Sequence, residues 1–256
     1  MKKFIAAIFT AVIGVVSAFA VSGCSSSVSP ALEDGKITIG YTIYAPMNYF
    51  EEGTNKFVGF DTELAEAFCK KIGVTADFVE IEWENKFIDL ASGTIDCIWN
   101  GMTITQDVKD KTAVSAPYLV NKQVIVCKSE NSSKFQIKDS VASASSIAYE
   151  KGSAGENAAK DCGVSGTEVT AQRDALLEVK AGTSEIAIVD ITMAQALTGS
   201  GTSFSDLVYI DVGFETEEFG VAFRKSDSGL AKAFDLFMEM VKSDGTYDSL
   251  VEKYLA

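Results

Sequence analysis

The sequence predicts an α/β protein of two lobes facing each other across a cleft, and three observations carry that expectation. A helix, glycine stop and strand occur twice, once through Leu90-Ala91-Ser92-Gly93-Thr94-Ile95-Asp96 and once through Gly182-Thr183-Ser184-Glu185. Aligned without gaps, the two copies place Gly101 on Asp190. Short apolar runs bounded by glycine alternate with segments of helical period, the pattern of a sheet covered on both faces. Two extended stretches, 119–128 and 206–214, serve as crossings, and two crossings return the chain to the lobe it began. The expected division is 36–120 with 213–256 as one lobe and 121–212 as the other.

A chain of 256 residues with 47% hydrophobic content can build such cores. Its net charge of −14 argues against nucleic acid, whose phosphates need basic patches. The absence of histidine removes Ser/His and Cys/His catalysis and the usual zinc sites, and no cofactor is expected. Lys2-Lys3 followed by an apolar run to Ala20 is a targeting segment. It ends in Val21-Ser22-Gly23-Cys24, which resembles the bacterial lipoprotein signal. That resemblance implies removal of 1–23, a lipid on the Cys24 thiol and attachment to a membrane without spanning it. Residues 24–35, rich in serine, then form a flexible tether. Cys69, Cys97, Cys127 and Cys162 make no C-x-x-C pair, and their pairing is open. Cys97 and Cys127 lie in apolar runs and read as buried hydrophobes.

In order, 36–40 is a first strand, and 41–50 is an aromatic loop whose tyrosines read as pocket lining. A helix starts at 59–62, capped by Asp61 or Thr62, and stops at Gly73. A strand over 77–81, Trp83 and a helix over 86–91 lead to a strand over 95–99, which Asn100-Gly101 breaks. Residues 105–111 are a capped helical turn, and 146–150 is a strand before the loop Lys151-Gly152-Ser153-Ala154-Gly155. A glycine-rich loop opening a helix offers free N–H groups to an anion. A helix over 173–181, a strand ending at Asp190, a strand over 217–225 and helices over 230–242 and 247–254 complete the chain.

Taken together, Gly59-Phe60-Asp61-x-x-Leu64-Ala65, Trp83 with Leu90-x-Ser92-Gly93-x-x-Asp96, Gly101-Met102-Thr103-Ile104-Thr105, Ser115-x-Pro117-Tyr118 and Gly182 to Asp190 resemble the bacterial extracellular solute-binding proteins of polar amino-acid ABC transporters. The likeness spans about 36–255. It implies two Rossmann-like α/β lobes joined by a two-strand hinge, the type II periplasmic-binding-protein arrangement, closing on ligand. By position, Tyr44 and Trp83 would sandwich a ligand side chain. Gly101, Thr103 and Asp190 would hold an α-ammonium, and Ser153 and Ala154 an α-carboxylate. Asn100, Met102 and Gln172 complete the expected lining.

Two positions depart from the family pattern. Val108 stands where an arginine usually forks the ligand carboxylate, and Glu150 stands where some members carry a basic contact. Losing a buried charged partner costs about 3–5 kcal/mol. Lys109 turns to another helix face, leaving Lys122 or Arg173 as conceivable substitutes. The expected ligand therefore has an amine and either lacks a free carboxylate or carries extra positive charge. The expected function is a monomeric, lipid-anchored carrier that delivers this solute to a membrane permease. The alternatives are a dehydratase-like enzyme using Asp190 or Glu150 as an acid, and a sensor domain. The sensor ranks last, because no transmembrane helix and signalling module follow.

Overall fold

The computed structural model describes residues 34–256. The leader, Cys24 and most of the tether lie outside the described residues. Among the described residues, no helix is long and apolar enough to cross a membrane.

The first lobe opens with β1 (Lys36–Tyr41) and a small hairpin of β2 (Tyr49–Phe50) and β3 (Phe57–Val58). Helix α1 (Phe60–Ile72) follows, burying Phe60, Leu64 and Phe68, and stops at Gly73 with φ 83°. Its N-cap is Gly59, not Asp61 or Thr62. A Cβ at Gly59 would lie 2.1 Å from the Met47 carbonyl oxygen, so backbone crowding selects glycine there. Asp61 is wholly buried instead. It accepts from the Gly101 N–H at 2.6 Å and the Tyr118 hydroxyl at 2.9 Å.

β4 (Thr75–Glu80) leads through a 3₁₀ turn at Trp83–Asn85 to α2 (Lys86–Ser92) and β5 (Cys97–Thr103). α3 (Gln106–Lys111) is capped by Thr105, whose hydroxyl accepts from the Val108 N–H. β6 (Ala113–Val114) and the long β7 (Leu119–Lys128) carry the chain into the second lobe. That lobe holds β8 (Ile147–Glu150), α4 (Ala154–Asp161), β9 (Thr167–Val169), α5 (Gln172–Ala181), β10 (Ile186–Asp190), α6 (Ile191–Leu197) and β11 (Leu207–Ile210). β12 (Thr216–Phe223) returns, and α7 (Ser228–Ser243) and α8 (Thr246–Tyr254) pack against α1.

The strand order reveals the duplication. In the first lobe it is β4-β1-β5-β12, and in the second β9-β8-β10-β7. Each lobe has three parallel strands closed by one long antiparallel strand. β5 and β10 are equivalent, each preceded by a helix stopped at a left-handed glycine, Gly93 at φ 80° and Gly182 at φ 81°. The lobes join where β12 pairs with β7, Thr216–Phe219 opposite Leu119–Lys122. Side chains alternate to both faces. On β5, Cys97 and Trp99 enter one core, and Ile98 and Met102 enter another.

Three expectations need correction. Asn100-Gly101 does not end β5, which runs on to Thr103. β12 supplies hydrogen bonds on either side of a register shift, and Gly101 takes φ 56° within it. Residues 207–210 form a second-lobe strand on β7, so the return crossing is β12 itself. α6, directly after Asp190, was not anticipated. Cys97 and Cys127 are wholly buried as expected, and the four described thiols are free.

Candidate functional site

The strand ends that the duplication makes equivalent face each other across a cavity of about 370 Å³. β5 brings Asn100, Gly101, Met102 and Thr103 to one wall, and the 3₁₀ turn brings Trp83. β8, α4, α5 and β10 bring Glu150, Ser153, Ala154, Gln172 and Asp190 to the other. α3 places Val108 on the first wall, inside an apolar cluster with Trp83 and Met102.

Asp190 is the most heavily supported of these groups. Its carboxylate accepts from the side-chain amides of Asn121 at 2.5 Å, Gln123 at 2.6 Å and Gln172 at 2.5 Å. The Gln172 carbonyl in turn accepts the Asp190 N–H at 2.9 Å. Burial pushes its carboxyl above the usual range, and the amide donors oppose that. The Asn121 and Gln123 amides also reach Glu217, which accepts the Thr103 hydroxyl at 3.0 Å. Glu217 thus ties the return strand to the cleft. Sequence reasoning missed it, and the alternating run of β12 was the available signal.

Glu150 is nearly without partners. It is 2% exposed, receives one long bond from the Thr42 hydroxyl at 3.4 Å, and makes no ion pair. Burial, and then the nearby charge of Asp190, lift its carboxyl well above the usual range. Ser153 caps α4 by accepting the Glu156 N–H, leaving the Ala154 and Gly155 N–H groups at the cavity without partners.

Two expected residues act differently. Tyr44 does not line the cavity. Its ring is 1% exposed and packs on Gly101, where a Cβ would lie 2.7 Å from Cε1. Its hydroxyl sits beside the Asp190 carboxylate without closing a hydrogen bond. The cause is Asn100, which accepts from Thr42 N–H and hydroxyl and donates to the Thr42 carbonyl and Asn48 Oδ1. Those bonds fold the 42–48 loop inward, so the aromatic loop supplies core and not lining, and the Asn100 side chain is spent on structure.

The substitutes considered for a basic partner are elsewhere. Lys122 pairs with Asp211 at 2.7 Å on the surface, and Arg173 lies over the Phe204 ring. The buried cation of the cleft is Lys86, which the sequence reading passed over. Its Nζ donates to the Trp83 carbonyl at 3.1 Å and, across the cleft, to the Gly152 carbonyl at 2.8 Å. It also lies 4.8 Å from the Trp83 ring centroid. Burial pushes its ammonium down to about 8, with Glu150 acting against that shift. A lysine in a first helical turn opposes the helix dipole, and that misfit was the clue. Among the described residues, no group of three or more acids or cysteines is arranged to hold a metal.

The model of the bacterial extracellular solute-binding proteins, family 3, matches residues 37–256. The arginine-binding extracellular protein ArtP of Bacillus subtilis is 28% identical, over 99% of this chain and 98% of that one. A probable histidine-binding protein of Neisseria gonorrhoeae is 26% identical over 100% and 96%. A crystal structure of a mutant of ArgBP from T. maritima superposes with TM-score 0.80 at 28% identity, covering 88% of this chain and 96% of that one. The duplicated lobes, the cleft between equivalent strand ends and a family match over nearly all described residues agree: this chain belongs to the bacterial extracellular solute-binding proteins of family 3.

Proposed function

We propose that the chain captures an amino acid or related small amine in its cleft and delivers it to the permease of an ABC importer, while a lipid on Cys24 holds it at the extracytoplasmic face of the cell membrane. The observation that carries this is Asp190. It is a buried carboxylate fixed by three amides at one strand end, opposite the backbone of Gly101 at the equivalent end. Such a pair of walls receives an ammonium only when both lobes close on it. Arginine and histidine, for which its relatives are named, are amino acids bearing such a group. The moving bodies are 36–120 with 213–256 against 121–212, pivoting on the β7–β12 pairing. A carrier is favoured over an enzyme because the family model and the relatives above are solute-binding proteins.

A thermal-shift screen of metabolites tests the reading. A ligand at 100 times its dissociation constant adds about 2.7 kcal/mol, and failure of every amino acid and amine to raise the midpoint defeats it. Cys24→Ala is expected to release the chain from membranes in a fractionation, and its retention there defeats the anchor.

A further inference from the structure

The rim of the cleft is balanced in charge and its interior is not. On the rim, Asp107 pairs with Lys111 at 2.8 Å, Glu156 with Lys160 at 2.5 Å, and Glu84 with Lys151 at 2.9 Å across the lobes. Inside stand three ionisable groups without an ion pair: Lys86, Glu150 and Asp190, each at least nine-tenths buried. With both acids ionised their formal sum is one negative charge; Glu217 lies outside the cavity lining, behind Thr103, and is not part of that sum. A closed, dry cleft does not tolerate an unmatched charge.

We propose that the cleft selects an α-amino acid whose side chain bears a second positive charge, with Lys86 taking the ligand carboxylate and Glu150 the side-chain cation. This rests on the carrier reading above. Lys86 has spent two of its three protons, on the Trp83 and Gly152 carbonyls. Its third is free, and the unpartnered N–H groups of Ala154 and Gly155 line the same cavity, so the anion site has a cation despite Val108. The carboxylate-free ligand is thereby disfavoured. Asp190 takes the α-ammonium, and Glu150, with one long bond from Thr42, is the acceptor left over.

Each ligand class leaves a different residue of charge. A dibasic amino acid neutralises the interior. A neutral amino acid leaves Glu150 to take up a proton, which its raised carboxyl favours, and gains nothing from it, while an acidic one adds a further negative charge. A decarboxylated diamine matches both acids and leaves Lys86 alone.

Calorimetry on the full chain with arginine, lysine, citrulline, glutamine, glutamate and agmatine reads the difference. Arginine or lysine is expected to bind at least about 30-fold tighter than citrulline, glutamate or agmatine. Glu150→Gln should bring arginine and citrulline within about threefold of each other, because the charge that separates them is gone. Lys86→Met should weaken arginine and tighten agmatine, which then no longer faces an unmatched cation. The wild-type series decides the matter even if a variant fails to fold, which circular dichroism checks. Equal or tighter binding of a neutral or acidic amino acid overturns charge selection alone. An unchanged gap in a folded Glu150→Gln variant does the same, and binding of no amino acid at all overturns the carrier reading with it.

Discussion

A buried acid outside the cleft sets how stability responds to pH. Burial lifts the Asp61 carboxyl to about 7 from its ordinary 3.8, although the Gly101 N–H, Tyr118 and Trp99 favour the charged form. A carboxyl raised on folding contributes stability below its unfolded value and loses it as pH rises through its folded value. Between pH 5 and 8 this group alone should cost about 2–3 kcal/mol. Urea denaturation at the two pH values should show that loss, and Asp61→Asn should remove this part of it. The rest should persist, since Glu150, Asp190 and Glu217 are shifted in the same direction. A variant as pH-sensitive as the wild type would count against the assignment. At this scale the sequence is legible where a residue's role follows from its own backbone position, as with Asp190 closing β10. It misleads where a distant side chain decides. Asn100 turns Tyr44 inward from 56 residues away along the chain, and Lys86 becomes a cleft residue only because Gly152 approaches from the other lobe.

At the scale of elements, helix stops were readable because each depends on one local residue. Gly73, Gly93 and Gly182 all adopt the left-handed conformation their positions suggested. The α3 cap at Thr105 was readable for the same reason. β5 was misjudged because Asn100-Gly101 has turn character in isolation, and the strand that holds it extended, β12, lies more than a hundred residues on. α6 was hidden because its N-cap, Asp190, gives its carboxylate to the Asn121, Gln123 and Gln172 amides and makes no cap bond, so the residue read as a strand end. Ser153 opens α4 with its hydroxyl on the Glu156 N–H. Ser153→Ala is expected to cost about 1 kcal/mol of unfolding free energy, and Ser153→Gly only a few tenths. Equal losses in the two variants would show that the cap contributes little.

For the whole molecule, the decisive contact is the meeting of Gly152 with Glu84 across the cleft. A Cβ at Gly152 would lie 2.9 Å from the Glu84 Cα, and the position has φ 74°. The obstacle is backbone, which cannot swing aside. Gly152→Ala should lower unfolding free energy by about 1 kcal/mol and weaken ligand by at least about tenfold, since closure is blocked while each lobe stays intact. Affinity equal to wild type would show that the lobes need not meet here. The order of strands carries one more consequence, for synthesis and not for binding. The second lobe's sheet is built from β7 to β11, one unbroken stretch, whereas the first lobe's needs β12, α7 and α8 from the far end of the chain. On the ribosome the inserted lobe can therefore complete its core while the lobe that emerged first still lacks its closing strand. The unclosed flank of β5 is then an edge that synthesis must shelter until β12, starting at Thr216, arrives.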